Sequence, residues 1–321
     1  MFKFTHVNAT ELSGATAVLA KGNAQVVAGG TDLITYMRGM FTPAPPSTLV
    51  NLKTIAGLSY IKEEGGMLKI GALTTLSTIA NSSVVKGNYT VLAQAARAVG
   101  SQELRNVGTI GGNICQKPRC MYYRHDFNDF PCLRKNPQGL CYALVGINTY
   151  HSIFGAVGGC VATCPSDTAP ALVALNANIV TTKKTWKAAD FFVIKGEQIN
   201  SLDADEIITE IQVPTPAAGT KSAYLKFAFR KAIDFPLASA AVVVTQAGGT
   251  VSAASIVMGG VFNSPKVATA AQDSIKGKAI DATTADAAGT AATTGATTLP
   301  KNKYKVQIIK TMVKRALLAS K

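Results

Sequence analysis

The chain has 321 residues, of which 47% are hydrophobic and 16% charged. This length exceeds what one ordinary core needs, so two or three domains are predicted, and the composition excludes a disordered chain. Lys and Arg number 32 against 18 Asp and Glu, a net charge of +14. The basic residues are spread along the chain, only one Trp is present and no nucleic-acid-binding motif occurs, so an acidic protein partner is expected rather than nucleic acid.

Residues 1–55 read as a first unit. Phe2 and Phe4 alternate with polar residues as in a half-buried strand, and Leu12 to Ala20 has a helical pattern. A short strand, Gln25 to Ala28, runs into Gly29-Gly30, where Thr31 is expected to N-cap a helix from Asp32 to about Met40. Thr48 to Leu52 is the next strand.

A second unit spans residues 56–180. Met67 to Ala72 reads as a strand, Thr75 to Ala80 as a short helix, and Val91 to Val99 as an Ala-rich helix ending at Gly100. A glycine-rich turn, Gly108 to Asn113, leads into an insertion at about residues 115–164 that holds every cysteine. Pro165-Ser166-Asp167 and an apolar stretch from Ala169 to Leu175 close the unit.

Residues 181–321 read as the third unit. Ile207 to Val213 is a strand stopped by Pro214, and Ala238 to Val244 is an apolar strand with Val251 to Gly259 as its hairpin neighbour. Asp281 to Thr298 is almost all Ala, Thr, Gly and Asp, which fits low complexity or weak helices equally. Lys303 to Leu318 is a basic closing helix with Val306, Ile309, Val313 and Leu317 on one face. No apolar run is long enough to span a membrane, and the N-terminus has no secretory h-region. The chain is therefore expected in the cytoplasm by its own sequence, or in the periplasm if exported with a signal-bearing partner.

Three motifs carry chemistry. Ala28-Gly29-Gly30-Thr31-Asp32-Leu33 lies between strand and helix; glycines there let a phosphate approach the backbone, although a plain tight turn reads as well. Gly108-Thr109-Ile110-Gly111-Gly112-Asn113 is a second such loop, and two in one region favour a large anionic cofactor. The third is the set Cys115, Cys120, Cys132, Cys141, Cys160 and Cys164. Their spacing is wide and irregular, which ranks an iron–sulfur cluster first, zinc second and disulfides third. Acid–base chemistry has little support: His6 reads as structural, and His125 and His151 either line the cluster or serve as spare ligands, with loop-surface positions the default. Asp167 could bind a ribose hydroxyl or merely cap a helix, and Lys226 with Arg230 flank Phe227 and Phe229 on what reads as a two-sided strand.

Ala28 to Leu33, Ile70-Gly71-Ala72, Arg105 to Asn113 and Pro165-Ser166-Asp167, in this order, resemble the FAD-binding medium subunits of the xanthine dehydrogenase, or molybdenum hydroxylase, family over nearly the whole chain. The cysteine insertion resembles that of a subgroup which includes periplasmic aldehyde oxidoreductase and 4-hydroxybenzoyl-CoA reductase, through Arg119-Cys120, Pro131-Cys132, Gly139-Leu140-Cys141 and Cys160-Val161-Ala162-Thr163. The resemblance implies an α+β fold: a two-lobed FAD domain of the vanillyl-alcohol-oxidase type, then a C-terminal α+β domain of the CO dehydrogenase flavoprotein type with an antiparallel sheet. It implies that Val26, Val27, Ala28, Gly29, Gly30, Thr31, Asp32 and Leu33, with Thr109, Gly111, Gly112 and Asn113, hold the FAD pyrophosphate. Asp167 would meet ribose or ribityl hydroxyls, and Ile208 and Lys226 would sit near the flavin. Cys120, Cys132, Cys141 and Cys160 would ligate a [4Fe–4S] cluster. The implied role is electron transfer in a heterotrimer. An aldehyde or an aromatic or heterocyclic substrate is oxidised at the molybdenum cofactor of a large subunit, and electrons pass through [2Fe–2S] clusters of a small subunit to the FAD here and on to an external acceptor. The competing readings are a reductive complex of the hydroxybenzoyl-CoA type, a zinc-stabilised scaffold without flavin, and a standalone FAD oxidase.

Overall fold

The computed structural model describes residues 2–321. The first lobe contains β1 (Thr5–Asn8), α1 (Leu12–Ala20), β2 (Ala24–Val27), α2 (Leu33–Arg38) and β3 (Thr48–Asn51). Its three strands run parallel in the order β1-β3-β2. Parallel neighbours need a crossover, and the segment carrying α2 supplies it between β2 and β3. Ala15 and Leu19 of α1 are buried with Val50 and Leu52 in a small core of this lobe. Two expectations shift here. The first strand starts at Thr5 rather than at Phe2, and α2 starts at Leu33 with no side-chain cap from Thr31 or Asp32. The Asp32 carboxylate is engaged elsewhere, as described below.

The second lobe holds β4 (Ile61–Glu64), β5 (Met67–Gly71), α3 (Leu76–Asn81), α4 (Ser83–Asn88), α5 (Thr90–Arg97), α6 (Gln102–Val107), α7 (Ile110–Cys115), α8 (Thr168–Ala174), β6 (Asn178–Thr181), β7 (Thr185–Lys187), α9 (Ala188–Phe191) and β8 (Ile208–Pro214). The strands form an antiparallel sheet in the order β4-β5-β8-β6-β7. Residues 181–214 thus pair with the second lobe, not with the C-terminal unit to which the sequence pattern alone assigned them. Apolar side chains of β5, β8, α3, α5 and α8, among them Leu68, Ile70, Ile211, Ile79, Leu92 and Leu172, fill the largest core.

The third unit has β9 (Thr220–Phe227), β10 (Ala238–Ala247), β11 (Thr250–Gly259), β12 (Lys266–Val267), α10 (Thr269–Ile275), α11 (Ala282–Ala291) and α12 (Tyr304–Ala319). Its antiparallel sheet runs β12-β11-β10-β9, with β10 and β11 forming the expected hairpin. The Ala/Thr/Gly-rich stretch is the helix α11, which Asp281 caps by accepting the Thr284 N–H at 2.7 Å. Its small residues serve close packing, since a Cβ on Gly289 would come within 2.5 Å of the Lys310 carbonyl on α12.

Lys305 of α12 is fully buried and donates to the carbonyls of Tyr150, His151 and Gly260 at 3.3, 2.9 and 2.6 Å. It ties the closing helix to the cysteine insertion without a carboxylate partner. Burial pushes its ammonium down to about 7. An unfolded Lys305 binds its proton more tightly than the folded one, so its contribution to stability rises as pH climbs from about 7 towards the ordinary 10.5. A Lys305→Met chain should lack this increment. Urea midpoints of both chains at pH 7 and 9 measure it, and equal pH slopes would refute it.

Candidate functional site

A cavity of about 390 Å³ opens between the two N-terminal lobes. The loop after β2 forms one wall, from Val26 through Val27, Ala28, Gly29, Gly30, Thr31 and Asp32 to Leu33. Thr109, Gly111, Gly112 and Asn113 form the wall opposite. The two glycine-rich loops touch: a Cβ on Gly29 would overlap the Val107 carbonyl oxygen, and Gly30 has φ of +72°. Backbone hydrogen bonds fix the second loop, with Leu76 N–H donating to Gly108 O at 2.9 Å and Gly111 N–H to Ala72 O at 3.0 Å.

The second loop is less of a free turn than its glycines suggest. Ile110–Cys115 is helical, and the Thr109 hydroxyl caps it by accepting from Gly112 N–H at 3.1 Å. Asn113 Oδ1 accepts from the hydroxyls of Ser166 and Thr168, each at 2.6 Å, which joins this loop to the Pro165-Ser166-Asp167 turn. Asp167 is buried and lines the cavity. Its carboxylate accepts from Tyr224 Oη at 2.6 Å and pairs with Lys226 Nζ at 2.8 Å. Burial raises the Asp167 carboxyl above its ordinary value, against the pull of Lys226 and Tyr224. Lys226 stands behind Asp167 and does not line the cavity. Its three protons go to Asp167, to Ala98 O at 2.9 Å and to Asp234 O at 2.7 Å, so none is left for a ligand. Ile208 lines the cavity as expected.

Two carboxylates bind the cysteine insertion to this cavity. Asp32 pairs with Arg119 and Arg124, both at 2.6 Å, and accepts the Lys117 N–H at 2.9 Å. Burial acts to raise its carboxyl, but Arg119 and Arg124 hold it below the ordinary value. Glu197 accepts from Tyr36, from Tyr123 at 2.8 Å and from Thr42 at 3.1 Å, and pairs with Lys117 at 3.4 Å. Sequence reading missed Glu197, because Lys195-Gly196-Glu197-Gln198 looks like any charged loop.

Within the insertion, Cys120, Cys132, Cys141 and Cys160 line one small cavity together with Tyr123, Arg134 and His151. All six cysteines are free thiols. Cys115 instead lines the larger cavity and Cys164 packs in the main core, and burial pushes both thiols up to about 12. Neither lines the cavity of the other four. Among the described residues, no three His, Cys, Asp or Glu side chains converge closely enough to hold one metal ion. His151 is buried, not on the surface as expected, with Nε2 3.2 Å from Cys120 Sγ. His125 is exposed and pairs with Asp129. Arg134 was also missed. It is buried, gives one hydrogen bond to Gln198 O, and leaves Nε and Nη1 without partners.

Residues 2–216 match the family described as the FAD binding domain in molybdopterin dehydrogenase, and residues 223–320 match the CO dehydrogenase flavoprotein C-terminal domain. The chain belongs to the FAD-binding medium subunits of the molybdenum hydroxylases. The aldehyde oxidoreductase FAD-binding subunit PaoB of Escherichia coli is 32% identical over 273 residues, covering 82% of each chain. The carbon monoxide dehydrogenase medium chain of Hydrogenophaga pseudoflava is 29% identical over 302 residues, or 93% of this chain and 89% of that one. A solved structure of that organism's carbon monoxide dehydrogenase superposes with a TM-score of 0.76 at 28% identity over 99% of this chain and 97% of that one. The α+β fold with its antiparallel C-terminal sheet thus agrees with the expectation. In this medium subunit no helix among the described residues is long and apolar enough to cross a membrane.

Proposed function

We propose that this medium subunit holds FAD in the interlobe cavity and a [4Fe–4S] cluster on Cys120, Cys132, Cys141 and Cys160. On this reading it relays electrons within a molybdenum hydroxylase. A large molybdenum-cofactor subunit oxidises the substrate, a small [2Fe–2S] subunit delivers the electrons, and an external acceptor receives them. Aldehydes are the favoured substrate class, because the relative PaoB is a subunit of an aldehyde oxidoreductase.

The observation that supports the flavin site is the contact of the two glycine loops, which leaves backbone rather than side chain facing the cavity. Gly29, Gly30, Thr31, Gly111 and Gly112 would lie against the pyrophosphate, and Lys117 and Arg119 line the same cavity. Asp167, held by Lys226 and Tyr224, would accept from ribose or ribityl hydroxyls. When bound, FAD supplies the step between one- and two-electron carriers. The chain's residues bind it, exclude water and set the polarity around it.

Arg134 is what supports the cluster. A buried guanidinium with two unpartnered nitrogens and no carboxylate calls for an anion beside it. Four thiolates around an iron–sulfur core supply that anion. Without metal the Cys120 thiol stays protonated, since burial, with Cys160 and Cys132 beside it, pushes it up to about 12.

The test is the visible spectrum of the anaerobically purified complex, with flavin, iron and sulfide quantified. Wild type should hold FAD, and Cys132→Ser should lose about four irons and four sulfides per FAD relative to it. Flavin should still bind at saturation. Unchanged iron in the variant would remove Cys132 from the ligand set.

A further inference from the structure

The segment from Cys115 to Arg124 separates the two cavities and faces both. Cys115, Gln116, Lys117 and Arg119 line the larger one, and Cys120, Tyr122 and Tyr123 line the cysteine cavity. Beyond the end of α7 the segment has no helix or strand of its own. Arg124 ties it internally to the Lys117 and Pro118 carbonyls, and two carboxylates from outside it fasten it to the rest of the chain. Asp32, in the first glycine loop, takes Arg119, Arg124 and the Lys117 amide. Glu197 takes Lys117 Nζ and the Tyr123 hydroxyl, together with Tyr36, which itself lines the larger cavity. Tyr36 and Tyr123 stack with ring centroids 5.8 Å apart, so the larger cavity, Tyr36, Tyr123 and the cysteine cavity are in continuous contact.

Charge gives this arrangement a consequence. Among the described residues lining the larger cavity, Lys117 and Arg119 are the only Lys or Arg, whereas Asp32, Asp167, Glu206 and Asp234 are acidic. A diphosphate placed there would draw its cationic partners from the shared segment alone. Cys120, one residue beyond Arg119, would anchor the same segment on the cluster side.

We propose that the two sites are energetically coupled through this segment: a filled cysteine cavity fixes Lys117 and Arg119 in place and thereby tightens FAD binding. The inference rests on the reading above that both cofactors bind. A cluster bound through Cys120 removes freedom from a strand of chain that flavin would otherwise have to order itself, so the ordering cost of FAD falls. Linkage requires the reverse as well: bound FAD must strengthen retention of the cluster by the same factor. Asp32 and Glu197 are positioning residues in this scheme, because they act on the ligand through Arg119 and Lys117.

The experiment measures FAD affinity by flavin fluorescence in the purified complex, first stripped of flavin and then titrated. Wild type is compared with Cys141→Ser, which removes the cluster at a half-buried ligand outside the Tyr36–Tyr123 packing. The expected result is about tenfold weaker FAD binding without the cluster, a size ordinary for coupled sites. The comparison is repeated in Glu197→Gln and Asp32→Asn backgrounds, where the tenfold ratio should shrink towards one. A purely structural role for these two carboxylates would weaken FAD equally with and without the cluster and leave the ratio intact. Equal affinities in wild type and Cys141→Ser, with iron lost and flavin still bound, overturn the coupling and leave the cofactor assignment standing. Iron content unchanged by Cys141→Ser, or absence of flavin from the wild-type complex, overturns the assignment and the coupling together.

Discussion

Replacing Lys226 with Met should destabilise the chain by about 3–5 kcal/mol, the range for stripping a buried charge of its partner. Lys226 and Asp167 form a nearly dry pair, with side chains 11% and 3% exposed. Lys226 also satisfies the Ala98 and Asp234 carbonyls, so one ammonium holds the end of α5, the Asp167 turn and the loop after β9. The variant leaves Asp167 buried with only Tyr224 beside it. Its carboxyl, already raised by burial, should rise further. A carboxyl raised in the folded state favours the fold at low pH and costs stability as pH rises through its folded pKa. The defect should therefore shrink on acidification. Adding Asp167→Asn removes the stranded charge and should recover much of the loss. Urea midpoints of the single and double variants between pH 5 and 8 measure this. A Lys226→Met chain as stable as wild type would mean that water reaches the pair.

A Gly29→Val chain should fail to retain FAD. The new Cβ would overlap the Val107 carbonyl, which is backbone and cannot rotate away. The two glycine loops would have to separate, and the wall that faces the cavity would move with them. Overpacking of this kind costs about 1–3 kcal/mol of stability, and the affinity penalty should exceed it because both loops line the site. Gly87→Ala is the control. It lies in α4 with nothing within 4 Å of its built Cβ, so FAD binding should not change. Flavin content after desalting, read against protein absorbance, distinguishes the two. Full flavin content in Gly29→Val would show that the loops can part without opening the site.

Much of the site was readable because its residues are local motifs. Ala28 to Leu33 and Thr109 to Asn113 announce themselves through glycine, and the structure brings them face to face. The four cysteines of the expected ligand set line one cavity, apart from Cys115 and Cys164. What the sequence hid was set by long-range pairing. Nothing local to Lys226 reveals that Asp167, Ala98 and Asp234 take its three donors. Glu197 is an unremarked loop acid until Tyr36, Tyr123, Thr42 and Lys117 converge on it. The extent of the second sheet was hidden for the same reason, since β8 follows apolar strand rules whichever neighbour it takes.

Pairing of β5 with β8 sets Gly71 opposite Glu210. Everything between them in the chain, including all six cysteines, lies in the loop which that pairing closes. Closing so long a loop costs only slowly growing entropy, but it delays the contacts that repay the cost. The strands of the short-range β1-β3-β2 sheet are all made by residue 51, whereas the central sheet must wait until residue 214 has been made. During that interval the thiols are exposed and unenclosed. On the reading that these cysteines hold a cluster, the order of assembly leaves the insertion open to it until the sheet closes.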